Sequence, residues 1–183
     1  MLLVMPDAAV PQLARWANFY VIVGSSAGAL TGLQFVVVAL VAQMRATGSM
    51  REIRAFATPT MVHFFAAFLI SAIVSAPWQA LSDAGLCLAV CGVIGVGYLV
   101  GVIRHARKQS GYRPDTEDWI WYAILPLLAY SALAVAAILV SWQPDQCLSA
   151  IAAITLILLL IGVHNAWDTI TYVAVTHLSL IHI

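Results

Sequence analysis

A chain of 183 residues with 63% hydrophobic and 9% charged side chains, and a mean hydropathy of +0.96, carries too little polar surface to cover a soluble domain. Its eight basic residues balance its eight acidic ones, so there is no basic field to hold nucleic acid. The composition describes an all-α integral membrane protein, a helical bundle whose first partner is the lipid bilayer.

Five apolar stretches are long enough to cross a hydrocarbon core of about 30 Å, which takes roughly 20 helical residues. They are 19–44, 59–78, 85–103, 119–140 and 147–167, and they predict five transmembrane helices. Residues 1–18 are expected to rest on the membrane surface, since the start lacks the basic n-region and cleavage site of a signal peptide. The bundle proper is read as 19–176.

The first span carries glycine at every fourth position, Gly24, Gly28 and Gly32, a stripe on which a second helix can approach almost to backbone contact. Gln34 stacks with Thr31 and Ala27 on another face, roughly 120° away, so this helix is expected to be contacted on two sides and to lie centrally. The second span is expected to start at Thr58-Pro59, a capping hydroxyl followed by proline at the first helical position, and to end at Pro77-Trp78. His63, Ala67, Ser71 and Ser75 share one of its stripes, with His63 about one turn inside the boundary.

The third span repeats the small-residue theme with Gly92, Gly95, Gly97 and Gly101. Spans one and three are therefore expected to pack tightly on one another; the alternative is that one of these faces forms a homo-oligomer or meets another membrane protein. Cys87 and Cys91 lie four apart on this span and Cys147 opens the fifth, a spacing that suits small thiols at helix contacts better than a disulfide framework or a metal site. The longest stretch outside the membrane, 104–118, is too short to fold as a catalytic domain.

Asp115, Glu117 and Asp118 precede the fourth span and complement its positive helix terminus. Pro126 inside it frees the Tyr122 carbonyl and predicts a kink. Val74-Ser-Ala-Pro-Trp-Gln79 and Val140-Ser-Trp-Gln143 end the second and fourth spans alike, which suggests two tandem helical hairpins followed by a fifth helix. The fifth span carries His164, Asn165 and Asp168, and running it inward brings them to nearly the depth of His63.

Ionisable groups within a membrane are functional candidates because an unpaired charge there is costly. Gln34, His63, His164, Asn165 and Asp168 admit two readings: a hydrogen-bonded network that fixes helix order, or an active cluster. In the second reading His63, His164 and Asp168 form a two-His-one-carboxylate metal site or a proton relay, making the protein a small transporter or a metal- or proton-dependent membrane activity. The paired His or Cys spacing of a specific metal site is missing, and no cofactor is expected. Serine-hydrolase, zincin and P-loop motifs are absent, so catalysis is not expected; Ser25 and Ser26 read as small hydroxyls at a packed interface.

Charge sets the expected orientation. Arg45, Arg51 and Arg54 lie between spans one and two, Arg104, Arg107, Lys108 and Arg113 between three and four, and Arg15 alone on the other side. The excess of basic residues on the cytoplasmic side predicts an outside N-terminus and a cytoplasmic C-terminus. All six tryptophans fall at the expected boundaries: Trp16, Trp78 and Trp142 outside, Trp119, Trp121 and Trp167 inside.

Ser25-Ser-Ala-Gly-Ala-Leu-Thr-Gly-Leu-Gln-Phe35, Phe56-Ala-Thr-Pro-Thr-Met-Val-His-Phe64 and Ser75-Ala-Pro-Trp78 resemble a family of small polytopic bacterial inner-membrane proteins over about the first 80 residues. The resemblance implies a multi-pass protein of the bacterial cytoplasmic membrane of unknown activity and includes His63 in its most specific stretch, while the small-residue faces and the lack of a sizeable extramembrane stretch point to a structural or regulatory component acting through helix and protein contacts. Residues 177–183 read as a tail, because Leu178-Ser-Leu-Ile-His-Ile183 is similar to a peptide translated from sequencing-adapter DNA.

Overall fold

Seven α-helices and one π-helical turn make up the described parts of the chain, residues 9–44, 50–108 and 116–181 of a computed structural model, with side-chain detail for 12–40, 60–104, 116–117 and 119–171. Arg45, Arg113 and Asp115, which the charge reading used, lie outside the described residues, as do residues 1–8 and 182–183. Helix α1 (Ala9–Ala14) leads into α2 (Ala17–Met44), followed by α3 (Met50–Ser75) and α4 (Leu81–Lys108). A short α5 (Thr116–Trp119) continues through the π-helical turn (Ile120–Ile124) into α6 (Leu125–Leu139), and α7 (Pro144–Ile181) closes the chain. No strand occurs among the described residues.

Among the described residues four helical stretches are long and apolar enough to cross a membrane: Ala17–Leu40, Leu81–Arg104, Ile120–Leu139 and Pro144–Thr171. Within the described side chains α3 contributes the apolar segment Thr60–Ser75, and the helix ends at Ser75 and not at the expected Pro77-Trp78. Its expected start is also displaced. The helix begins at Met50 and runs through Thr58-Pro59, so these residues are not a cap, and the first turns carry Arg51, Glu52 and Arg54. Proline in a helix removes one donor, a loss that a long helix packed in a bundle can absorb.

Helix α7 is the centre of the assembly. It packs against α3 on one side and α6 on the other; α2 lies outside α3, and α4 outside α6. The two consecutive pairs, α2 with α3 and α4 with α6, are thus joined by the fifth long helix. Leu148, Ile151, Leu158 and Ile161 of α7 are fully buried, beside Ile70 of α3 and Leu133 of α6.

The expected central position of the first span is therefore corrected: α2 lies at the edge, with Val21, Ile22, Leu33, Phe35 and Val36 exposed. Helical arithmetic explains why its glycine stripe is not a continuous contact. Four residues advance about 400°, so Gly24, Gly28 and Gly32 drift by roughly 40° at each step. A Cβ at Gly24 would press on Ser71 Cβ of α3 at 2.9 Å, one at Gly28 would touch the Phe68 ring at 3.5 Å, and one at Gly32 would have nothing within 4 Å. The stripe that stays buried advances by seven, through Tyr20, Ala27 and Gln34.

The tight partner of α4 is α6, not α2. A Cβ at Gly85 would lie 2.7 Å from Val140 Cγ1 and one at Gly92 2.7 Å from the Ala134 amide nitrogen, while one at Gly95 would overlap the Tyr130 ring. These pairings run in opposite chain directions, as a helical hairpin requires. Gly97 and Gly101, expected at the packed face, point into open space with nothing within 4 Å of a Cβ.

The two hairpins end in similar ways. After α3, the indole N–H of Trp78 donates to the Ile73 carbonyl; after α6, the backbone N–H groups of Trp142 and Gln143 both donate to Leu139. Val74 and Val140 are buried at the corresponding positions. At this end Arg15 forms an exposed ion pair with Asp145, linking the α1–α2 junction to the first turn of α7. Trp16 packs edge-on against Phe19, with ring centroids 5.8 Å apart.

Candidate functional site: polar residues at the far end of the bundle

The polar residues singled out in the sequence gather at the opposite end, in two groups rather than one. The inner group starts from α3. His63 is fully buried, and its Nδ1 shares a hydrogen bond of 3.1 Å with the Tyr130 hydroxyl of α6, the phenol donating when Nδ1 carries no proton. The two rings lie 5.8 Å apart, inclined by 33°. Tyr130 can reach this far because Gly95 leaves room for its ring against α4.

The next residue, Phe64, sets the register of α3 against α7. Its ring lies against Gly162, where a Cβ would come within 2.6 Å of two ring carbons. Asn165 follows three residues later, roughly 4.5 Å further along α7 at the usual rise, and so stands level with the turn of α3 that holds Thr60 and His63. Thr60, His63 and Asn165 are all fully buried, and Gln34 of α2 is buried as well. Neither amide atom of Asn165 has a hydrogen-bond partner, nor does Nε2 of His63.

The outer group is built around His164, whose side chain is 24% exposed. Its Nδ1 lies 3.5 Å from Asp168 Oδ2 one turn along α7, and its Nε2 lies 3.9 Å from Glu117 Oε1 of α5. Trp121 covers one face of the imidazole, the rings parallel within 8° and 3.8 Å apart. Trp121 sits in the π-helical turn, where the N–H of Leu125 donates to the Ile120 carbonyl five residues back. The expected effect of Pro126 is modified accordingly: a widened turn precedes the proline, which is buried near the start of α6.

This arrangement does not bring the candidate metal ligands His63, His164 and Asp168 together. His63 pairs with Tyr130, whereas His164 pairs with Asp168 and Glu117. The two carboxylates face opposite nitrogens of one imidazole, so a single ion bound at either nitrogen cannot collect both. No three His, Cys, Asp or Glu side chains are grouped as metal ligands among the described residues. Cys87, Cys91 and Cys147 are free. Ser25 and Ser26 lie exposed on α2, and the Ser26 hydroxyl donates to the Ile22 carbonyl of its own helix.

Three partners escaped the sequence reading. Tyr130 is 67 residues from His63 and carries no motif; its only signal is a hydroxyl-bearing ring one turn beyond Pro126. Trp121 read as a boundary anchor and Glu117 as a helix-terminal charge, roles that gave no reason to place either beside His164. Comparison with known families, curated proteins and solved structures finds no match to this chain.

Proposed function

We propose that the chain is a five-span protein of a bacterial cytoplasmic membrane that serves as a structural or regulatory component through helix contacts within the bilayer. Counting α3 as a span is supported by its position between α2 and α7, two helices long enough to cross. The basic residues flanking the α2–α3 and α4–α5 connections favour a cytoplasmic location for that end, and hence an outside N-terminus.

The observation that carries the contact reading is the division among glycines. Those at 24, 85, 92, 95 and 162 are used within the bundle, whereas Gly97 and Gly101 stand open on α4 beside exposed Val90, Val93 and Ile94. An apolar face with glycines at its centre fits a further membrane helix, from a second copy or another protein. The test is self-association in lipid vesicles at increasing dilution, read by energy transfer between labelled copies. Wild-type chains should associate and Gly97→Leu should lose association while keeping its thermal stability. Dilution-independent monomers, with native cross-linking neighbours unchanged by Gly97→Leu, would sink the proposal.

Orientation is tested separately by cysteine accessibility in a cysteine-free background. Ser110→Cys should label only from the inside and Asp145→Cys only from the outside; the reverse pattern overturns it.

A second reading is favoured by the His164 arrangement, in which an imidazole between two carboxylates lies next in sequence to fully buried Asn165. That geometry suits movement of a proton or small polar solute centred on His63, His164 and Asp168. Proteoliposomes should then show a pH-gradient-dependent flux that His63→Phe abolishes.

A further inference from the structure

Among the described residues three polar atoms buried on α3 and α7 lack a hydrogen-bond partner, His63 Nε2, Asn165 Oδ1 and Asn165 Nδ2, and His164 Nδ1 on the adjoining residue makes no hydrogen bond either. His63 and Asn165 are fully buried, so bulk solvent does not satisfy them. A single such atom costs about as much as a lost hydrogen bond, and in lipid the surroundings offer no substitute. Three together, with donor and acceptor character on facing helices, form a set that one or two small molecules can complete.

We propose that His63 and Asn165 form an internal binding site for a small uncharged hydrogen-bonding ligand, water in the resting protein, held between α3 and α7. The chemistry selects the class. Tyr130 meets His63 from α6 through a neutral phenol, and among the described residues no ionised side chain pairs with His63 or Asn165, so the site offers an ion no counter-charge there. The Asn165 amide both donates and accepts, and His63 Nε2 takes whichever role its tautomer leaves, a combination that water meets in either state. Ordered water joining buried groups through about three hydrogen bonds is the usual solution to such a set.

Phe64 lies against Gly162 at the next level, and fully buried Ile161 and Leu158 continue the apolar layer toward the other end of the bundle. His164, a quarter exposed, precedes Asn165 on α7 and has Glu117 and Asp168 within 4 Å.

The test is water-edited solid-state NMR on the full chain in lipid bilayers, with histidine ring nitrogens labelled and His63 assigned by the loss of its signal in His63→Phe. The His63 ring should receive polarisation from water at a rate within several-fold of His164, despite its burial. Asn165→Leu should slow that transfer several-fold. Asn165→Gln, whose longer side chain takes the place of the water, should fold and lose the transfer too, which keeps the test valid if the leucine variant fails to fold. Absence of water transfer to His63 in the wild type, or transfer unchanged in Asn165→Gln, overturns the proposal.

Discussion

Tyr130 of α6 lies so close to Gly95 of α4 that any side chain at position 95 would overlap its ring. The same tyrosine reaches His63 Nδ1 on α3 at 3.1 Å. One side chain thus ties three helices together, α6 to α4 through its ring and to α3 through its hydroxyl.

Gly95→Ala should destabilise the fold by about 1–3 kcal/mol, the usual cost of overpacking a filled contact. Gly97→Ala, two residues away in open space, should stay within about 0.5 kcal/mol of wild type. Unfolding in a single detergent mixture, followed by circular dichroism, compares the two. Equal stability would remove the close contact between α4 and α6.

Tyr130→Phe keeps the ring and removes only the hydroxyl, leaving a second nitrogen of buried His63 without a partner. Hydrogen bonds between membrane helices are worth about 0.6 kcal/mol on average and at most about 1.7, so a loss in that range is expected. Helical content should not change. Stability equal to wild type in an unfolding titration would count against the hydrogen bond.

Phe64 and Gly162 should behave as one unit. Gly162→Ala presses on the ring and should destabilise, while Phe64→Leu makes room and should make the added methyl less costly. A double-mutant cycle on the two positions should return a coupling of about 1 kcal/mol. Additive effects would indicate that α3 and α7 do not meet in this register.

Along α2 the cost of a leucine should fall from Gly24 to Gly32. Gly24→Leu meets Ser71 and should disturb the α2–α3 contact; Gly32→Leu starts from a Cβ with nothing within 4 Å and should leave thermal stability unchanged. Measured melting temperatures in the reverse order would restore a continuous glycine seam.

Asp145→Asn should matter little. The Arg15–Asp145 pair is exposed, with side-chain accessibilities of 64% and 76%, and such pairs contribute about 1 kcal/mol or less and weaken with salt. Unfolding at low and high ionic strength should show a small difference that vanishes at high salt.

The path from residues to site was legible in parts. Counting 100° per residue separated the Ala27 and Gln34 stripe from the glycines, and both residues are buried while Gly32 is open. The same counting put His164 and Asp168 on one face, where they lie 3.5 Å apart. It could not bring His63 to Tyr130, because periodicity describes the faces of one helix and says nothing about which other helix fills them.

Composition alone determined that the chain is helical and apolar enough for a membrane, since buried backbone in lipid must satisfy its own hydrogen bonds whatever the order of the helices. Helix order was decided only by the tertiary structure. Lipid-facing and protein-facing surfaces are equally apolar, so the drive to bury hydrophobic area, which orders soluble cores, does not choose among helix partners here. Shape chooses instead: Tyr130 fits over Gly95 and joins α6 to α4, Phe64 fits over Gly162 and joins α3 to α7, and Ser71 against Gly24 seats α2 on α3.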